Sequence, residues 1–151
     1  MSENSHHMLH SVVTEFLNAH RKAIFAFIDA EGKPVTSLML YMIDDALNVY
    51  FGTRKAFGKY AQAKQNPYVS LSVVEEALDP LKVVDIRGIA EELDADEQES
   101  VYSDFKLKNP SKYYVEGADD FVMFRIRPEV VRWADASSGD LVVENIPLPI
   151  E

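Results

Sequence analysis

Apolar residues at Leu9, Val12, Val13, Phe16 and Leu17 recur at helical spacing and predict an amphipathic helix over 9–19. The polar stretch 1–8 before it reads as a flexible tail, leaving 9–151 as a single domain. The pattern then changes period. Residues 23–30 (AIFAFIDA) form a buried apolar run, Glu31-Gly32-Lys33-Pro34 is turn chemistry, and 35–43 (VTSLMLYMI) is a second run. After a turn at Asp44-Asp45, 47–52 (LNVYFG) is a third. Three strands on such short connections predict an antiparallel meander.

A short helix follows, stopped by Asn66-Pro67, and 68–74 (YVSLSVV) alternates as a strand. Residues 81–93 predict a long strand with Gly88 as a bulge or close-approach point. An acidic start at 94 and an apolar face of Val101, Tyr102 and Phe105 predict a helix over 94–105. Residues 106–117 read as a polar connection. Two strands, 120–127 and 129–134, are expected on either side of Pro128, with a last edge strand at 141–143. The sum is a mainly β fold: an antiparallel barrel of six to seven strands with two or three peripheral helices.

Composition narrows the function. A chain of 151 residues suits one core, and the absence of cysteine removes disulfides, thiolate metal sites and thiol nucleophiles. A formal charge of -10 argues against nucleic acid as a partner. No apolar run approaches the ~20 residues of a membrane span, and the N-terminus lacks signal-peptide features, so a cytoplasmic protein is expected. His6 and His10 would share a helical face, yet with His7 they read as a solvated tail, and no metal site is expected. No Ser-His-Asp pattern stands out, and no catalytic residue is assigned.

Against this acidic background, Thr53, Arg54, Lys55 and Lys59 cluster at the start of the short helix. A helix start offers unpaired N–H groups, and nearby cations complete an anion site.

The order of these pieces resembles the pyridoxamine 5'-phosphate oxidase-like group of FMN-binding split barrels, over residues 16–136. The segments that carry it are Glu31-Gly32-Lys33-Pro34 with its flanking strands, 51–71, 84–93 with Gly88-Ile89-Ala90-Glu91, and 121–133. The most specific is 51–71, with Thr53, a lysine six residues later at Lys59, Asn66-Pro67 and then Val69. The resemblance implies a homodimer with FMN at its interface. Thr53 and Lys59 would hold the phosphate, with Arg54 and Lys55 adding charge. Strand residues Thr36, Ser37 and Leu38 would line the isoalloxazine ring. Trp133 would lie near where the partner approaches the flavin. An FMN-dependent oxidoreductase is the implied activity, with a small-molecule electron donor or acceptor such as NADH or NADPH.

The chain also departs from the true oxidase. Phe57 and Gly58 stand where it has Ser and Arg, Ser37 and Met42 where it has Arg and Lys, and Val83 where it has Gln. Its C-terminal Arg-Leu-His-Asp-Arg segment has no counterpart before the final PLPIE. Oxidation of pyridoxamine phosphate is therefore not expected. The alternatives are a non-catalytic FMN carrier or sensor, and a flavin-free split barrel that handles haem or a protein partner.

Overall fold

The computed structural model describes residues 3–111 and 120–150. Helix α1 (Glu3–Ala19) precedes strands β1 (Lys22–Ile28), β2 (Pro34–Leu40), β3 (Met42–Ile43) and β4 (Val49–Arg54). Helix α2 (Gly58–Gln65), β5 (Tyr68–Val74), β6 (Lys82–Glu92), α3 (Ala95–Lys108), β7 (Phe121–Asp135) and β8 (Val142–Asn145) follow.

Strands β1 to β7 pair antiparallel in the order β2-β1-β5-β6-β7-β4-β3, and β8 adds to β7. The two ends of this path, β2 and β3, are joined through the single residue Tyr41. A sheet whose outermost strands are one residue apart must curl round on itself, which makes it a barrel. Along β1 and β4 alternate residues point inward, so that Phe25, Phe27 and Phe51 meet Phe124 of β7 in the interior. All four are fully buried. Each contributes roughly 2 kcal/mol by removal from water.

The sequence reading is corrected at four places. The 35–43 run is two strands, because the chain turns at Tyr41 from a ladder with β1 to a ladder with β4. The meander therefore stops after β1-β2, since β4 pairs with β3 and β7. Pro128 does not divide β7. It faces Gly88 at a register shift between Arg87 and Gly88, where the ladder is already interrupted. Finally, α1 reaches back to Glu3, so the polar tail is helical from Glu3 onward. The 94–105 helix is present as α3, with Asp94 as its cap accepting from the Glu97 N–H at 2.9 Å. Most of the 106–117 connection lies outside the described residues.

Tyr41 is pinned on all sides. Its N–H donates to the Arg21 carbonyl, its carbonyl accepts from Asn109 Nδ2 at 2.8 Å, and its hydroxyl donates to the Leu17 carbonyl at 2.7 Å. Asn109 is fully buried. Lys108 Nζ donates to the same Leu17 carbonyl and lies 4.2 Å from the Tyr41 ring centre. Thus α1 and the end of α3 clamp the point where the barrel's edge strands separate.

Helix α3 lays Phe105 against Tyr50, Leu93 and Met123 on the outer side of the sheet. The outer side of β2, β1 and β5 has no such cover among the described residues. Ile24, Leu38, Tyr68 and Val74 stand exposed there.

Candidate functional site

The site is built where β2 and β4 part. Continuing the Met42↔Tyr50 and Ile43↔Val49 register past Tyr41 would set Met39 opposite Thr53. Instead β2 ladders only to β1, and residues 51–54 of β4 ladder only to β7. Two strand edges thus face a common split with no ladder between them. Their N–H and C=O groups are obligatory hydrogen-bonding groups, available to a planar polar ligand.

The β2 lip carries Thr36, Ser37 and Leu38. Ser37 pairs with Phe25 and shares its inward side, whereas Thr36 and Leu38 point outward beside Ala26 and Ile24. The three expected ring-lining residues therefore divide between both faces of one edge strand.

The β4 lip carries the anion-site residues. Thr53 lies on the inward side with Val49 and Phe51, is 4% exposed, and its Oγ1 is buried with no hydrogen-bond partner among the described residues. A buried hydroxyl without a partner costs free energy unless something else supplies the bond. Four residues on, α2 begins at an N-cap, Phe57, that has no side-chain oxygen to offer. The helix start is left without a side-chain cap, where Ser, Thr or Asp would normally accept its N–H groups. Asn66 closes the helix through its N–H to the Gln62 carbonyl.

The four basic-turn residues do not act alike. Arg54 points to the outer side and binds Asp120, with Nε and one terminal nitrogen each 2.9 Å from the same carboxylate oxygen. That contact holds the Asp120 carboxyl below its ordinary value. Arg54 is therefore neutralised. Lys55 is exposed, and Lys59 is half-buried. Neither makes an ion pair among the described residues, and Lys59 Nζ lies 5.8 Å from the Phe57 ring centre. Phe57 is half exposed. Next on the helix, Tyr60 is held to Glu92, which raises its pKa, and its ring packs edge-on against Phe124.

Trp133 does not join this group. It is 5% exposed, lies in the main core and meets Phe16 edge-on at 5.1 Å. Sequence reasoning missed Asp120, which sits 66 residues from Arg54 and carries no local signal of the pairing. The histidines His6, His7 and His10 line a cavity of about 530 Å³ against residues 146–150. No group of three or more His, Cys, Asp or Glu able to hold a metal occurs among the described residues. No described helix is long and apolar enough to cross a membrane.

A curled antiparallel sheet that is open between two strands defines a split barrel. The pyridoxamine 5'-phosphate oxidase family model matches residues 9–133, and the chain belongs to that family. A search of the curated proteins found no match. Among solved structures, a candidate pyridoxamine 5'-phosphate oxidase of Listeria innocua is similar at 20% identity, with a TM-score of 0.70, over 83% of this chain and 97% of that one. A conserved hypothetical protein of Mycobacterium tuberculosis is similar at 21% identity, with a TM-score of 0.73, over 93% and 89%. A heme binding protein of Mycobacterium smegmatis is similar at 20% identity, with a TM-score of 0.70, over 87% of this chain and 57% of that one. At these identities the likeness establishes the fold.

Proposed function

We propose that this chain is an FMN-dependent oxidoreductase of the cytoplasm, working as a homodimer. The observation that carries the reading is the buried Thr53 Oγ1, without a partner among the described residues, on the strand that leads into the uncapped α2 start, in whose first turn Lys59 makes no ion pair among those residues. These groups fit the flavin's phosphate: the hydroxyl and the helix N–H groups donate, and Lys59 supplies charge. Lys55 adds to the positive field. Arg54 contributes little, being neutralised by Asp120. The edge of β2 at Thr36, Ser37 and Leu38 offers backbone donors and acceptors to the ring.

FMN supplies hydride and electron transfer when bound, while the protein binds, orients and shields it. No protein acid or base is needed for that, in line with the lack of a catalytic constellation in the sequence. The electron donor or acceptor would be a small molecule, NADH or NADPH being the first to try. Pyridoxamine phosphate is disfavoured by the residues at Phe57, Gly58, Ser37, Met42 and Val83. The exposed apolar residues Ile24, Leu38, Tyr68 and Val74 on the uncovered outer face support the homodimer. Trp133, enclosed in the core, takes no part in this reading.

The test is reconstitution. Purified protein given FMN should show bound-flavin absorbance and a raised Tm, and NADH or NADPH should bleach it under anaerobic conditions. Binding without reduction by any donor would leave the carrier or sensor reading. Absence of binding would remove both, and haem titration would then test the flavin-free reading that the Mycobacterium smegmatis neighbour favours.

A further inference from the structure

We infer that Arg87 and Glu129 form reciprocal ion pairs between two copies of this chain. The inference rests on the homodimer reading above and deepens it.

The argument starts at Gly88. A Cβ at this position would sit 2.1 Å from the Arg127 carbonyl oxygen. Only glycine lets β6 and β7 approach so closely. The register shifts here, with Arg87 opposite Val130 and Gly88 opposite Pro128, which leaves Glu129 as the extra residue of a bulge. Bulges re-aim side chains, and this one sets Glu129 in the same outer-face groove as Arg87. That groove measures about 470 Å³ and is otherwise lined mainly by apolar groups, including Ala26, Ile28 and Tyr68. A second hollow of about 280 Å³ adjoins it, sharing Ser70, Arg87 and Val130.

Arg87 is exceptional among the six arginines. Arg54, Arg125, Arg127 and Arg132 each meet a carboxylate, and Arg21 bonds to Asn109 and Pro110. Beyond the backbone ladders, the Arg87 side chain has no hydrogen-bond or ion-pair partner among the described residues, and neither has that of Glu129. They share a groove yet do not pair with each other. An isologous two-fold interface places residue i against j and j against i. A groove whose charged lining is one unpaired cation and one unpaired anion, set among apolar residues, is therefore complementary to itself. Each protomer carries a net charge of -10, so association works against general repulsion. Two such pairs would offset that repulsion locally and fix the register of docking.

The test is a charge-swap cycle on the flavin-free full chain, read by sedimentation at several concentrations. Wild type is expected to be dimeric. Arg87→Glu and Glu129→Arg should each raise the dimer dissociation constant at least ~10-fold, because each faces like charges across the interface. The double swap should recover most of the loss. Circular dichroism checks that each variant folds. Single reversals without effect, or a double swap no better than either single, would overturn the pairing while leaving the dimer intact. A monomeric wild type would overturn the dimer as well, and FMN titration of the same sample would show whether the flavin reading survives. An unchanged dimer in which inorganic phosphate stabilises wild type but not Arg87→Glu would assign the groove to a small anion and also overturn the pairing.

Discussion

Arg54 and Asp120 are joined by two nitrogen-to-oxygen contacts of 2.9 Å, which tie the end of β4 to the start of β7. The backbone repeats the link, with the Lys55 N–H donating to the Asp120 carbonyl at 2.8 Å. The pair serves the fold, and its charge is spent. Arg54→Gln should therefore change FMN affinity less than about 3-fold while lowering Tm modestly, as expected of a partly exposed pair. The pH dependence has a definite sign. Asp120 titrates below its ordinary value of 3.8 because of Arg54. Its stabilisation is complete above that value and disappears as pH falls through the folded-state pKa. The Tm gap between wild type and Arg54→Gln should close below about pH 4, and thermal melts across that range check it.

Thr53→Val separates a ligand-binding hydroxyl from a structural one. The Oγ1 is buried and has no hydrogen-bond partner among the described residues, so valine, nearly the same shape, removes an unsatisfied group. The flavin-free variant should melt at the wild-type temperature or a few degrees higher. Its FMN dissociation constant should rise roughly 10-fold, matching about 1.4 kcal/mol for one lost hydrogen bond to a charged group. A large loss of flavin-free stability would show that the hydroxyl has a structural partner.

Gly88→Ala tests the bulge. The clash is with backbone, the Arg127 carbonyl, and no side-chain rotation can relieve it. A loss on the order of 3 kcal/mol is expected from overpacking. Urea unfolding would measure it, and Gly58→Ala is the control. The nearest atom there is 3.6 Å away, so that substitution should be tolerated.

Lys108 makes stability rise with alkaline pH. Burial, aided by Arg21, lowers its pKa from 10.5 to about 8. Between those values the unfolded chain holds a proton that the folded chain lacks, so unfolding free energy increases with pH. Tyr41 opposes this above about pH 10, because burial raises its pKa and the folded chain retains that proton. The difference between wild type and Lys108→Met should therefore change with pH through the 8–10 window, measured by urea titration. A pH-independent difference would show that Lys108 is not buried as described.

Much of the barrel was legible because its strands announce themselves locally. The 23–30 and 68–74 runs, the Glu31-to-Pro34 turn, the Asn66-Pro67 stop and Gly88 are each decided by nearby residues. What stayed hidden depends on distant ones. The break at Tyr41 is invisible in VTSLMLYMI, since it is imposed by Leu17, Arg21 and Asn109. Pro128 looked like a strand end because the bulge that accommodates it lies across the sheet at Gly88. At the candidate site, the motif points to Thr53 and Lys59, which the structure places on the end of β4 and in the first turn of α2. The pairing of Arg54 is not legible locally, because Asp120 approaches it from the start of β7. The cover that Phe16 of α1 places over Trp133 is likewise a contact between distant residues.

The most direct measurement compares FMN with riboflavin, which differ only by the phosphate, on wild type and on Lys59→Ala. Wild type should bind FMN at least ~10-fold more tightly than riboflavin, and the gap should shrink to a few-fold or less in the variant, whose riboflavin affinity should be unchanged. Equal binding of the two flavins by wild type, or a gap untouched by loss of Lys59, would contradict a phosphate seat between Thr53 and the start of α2.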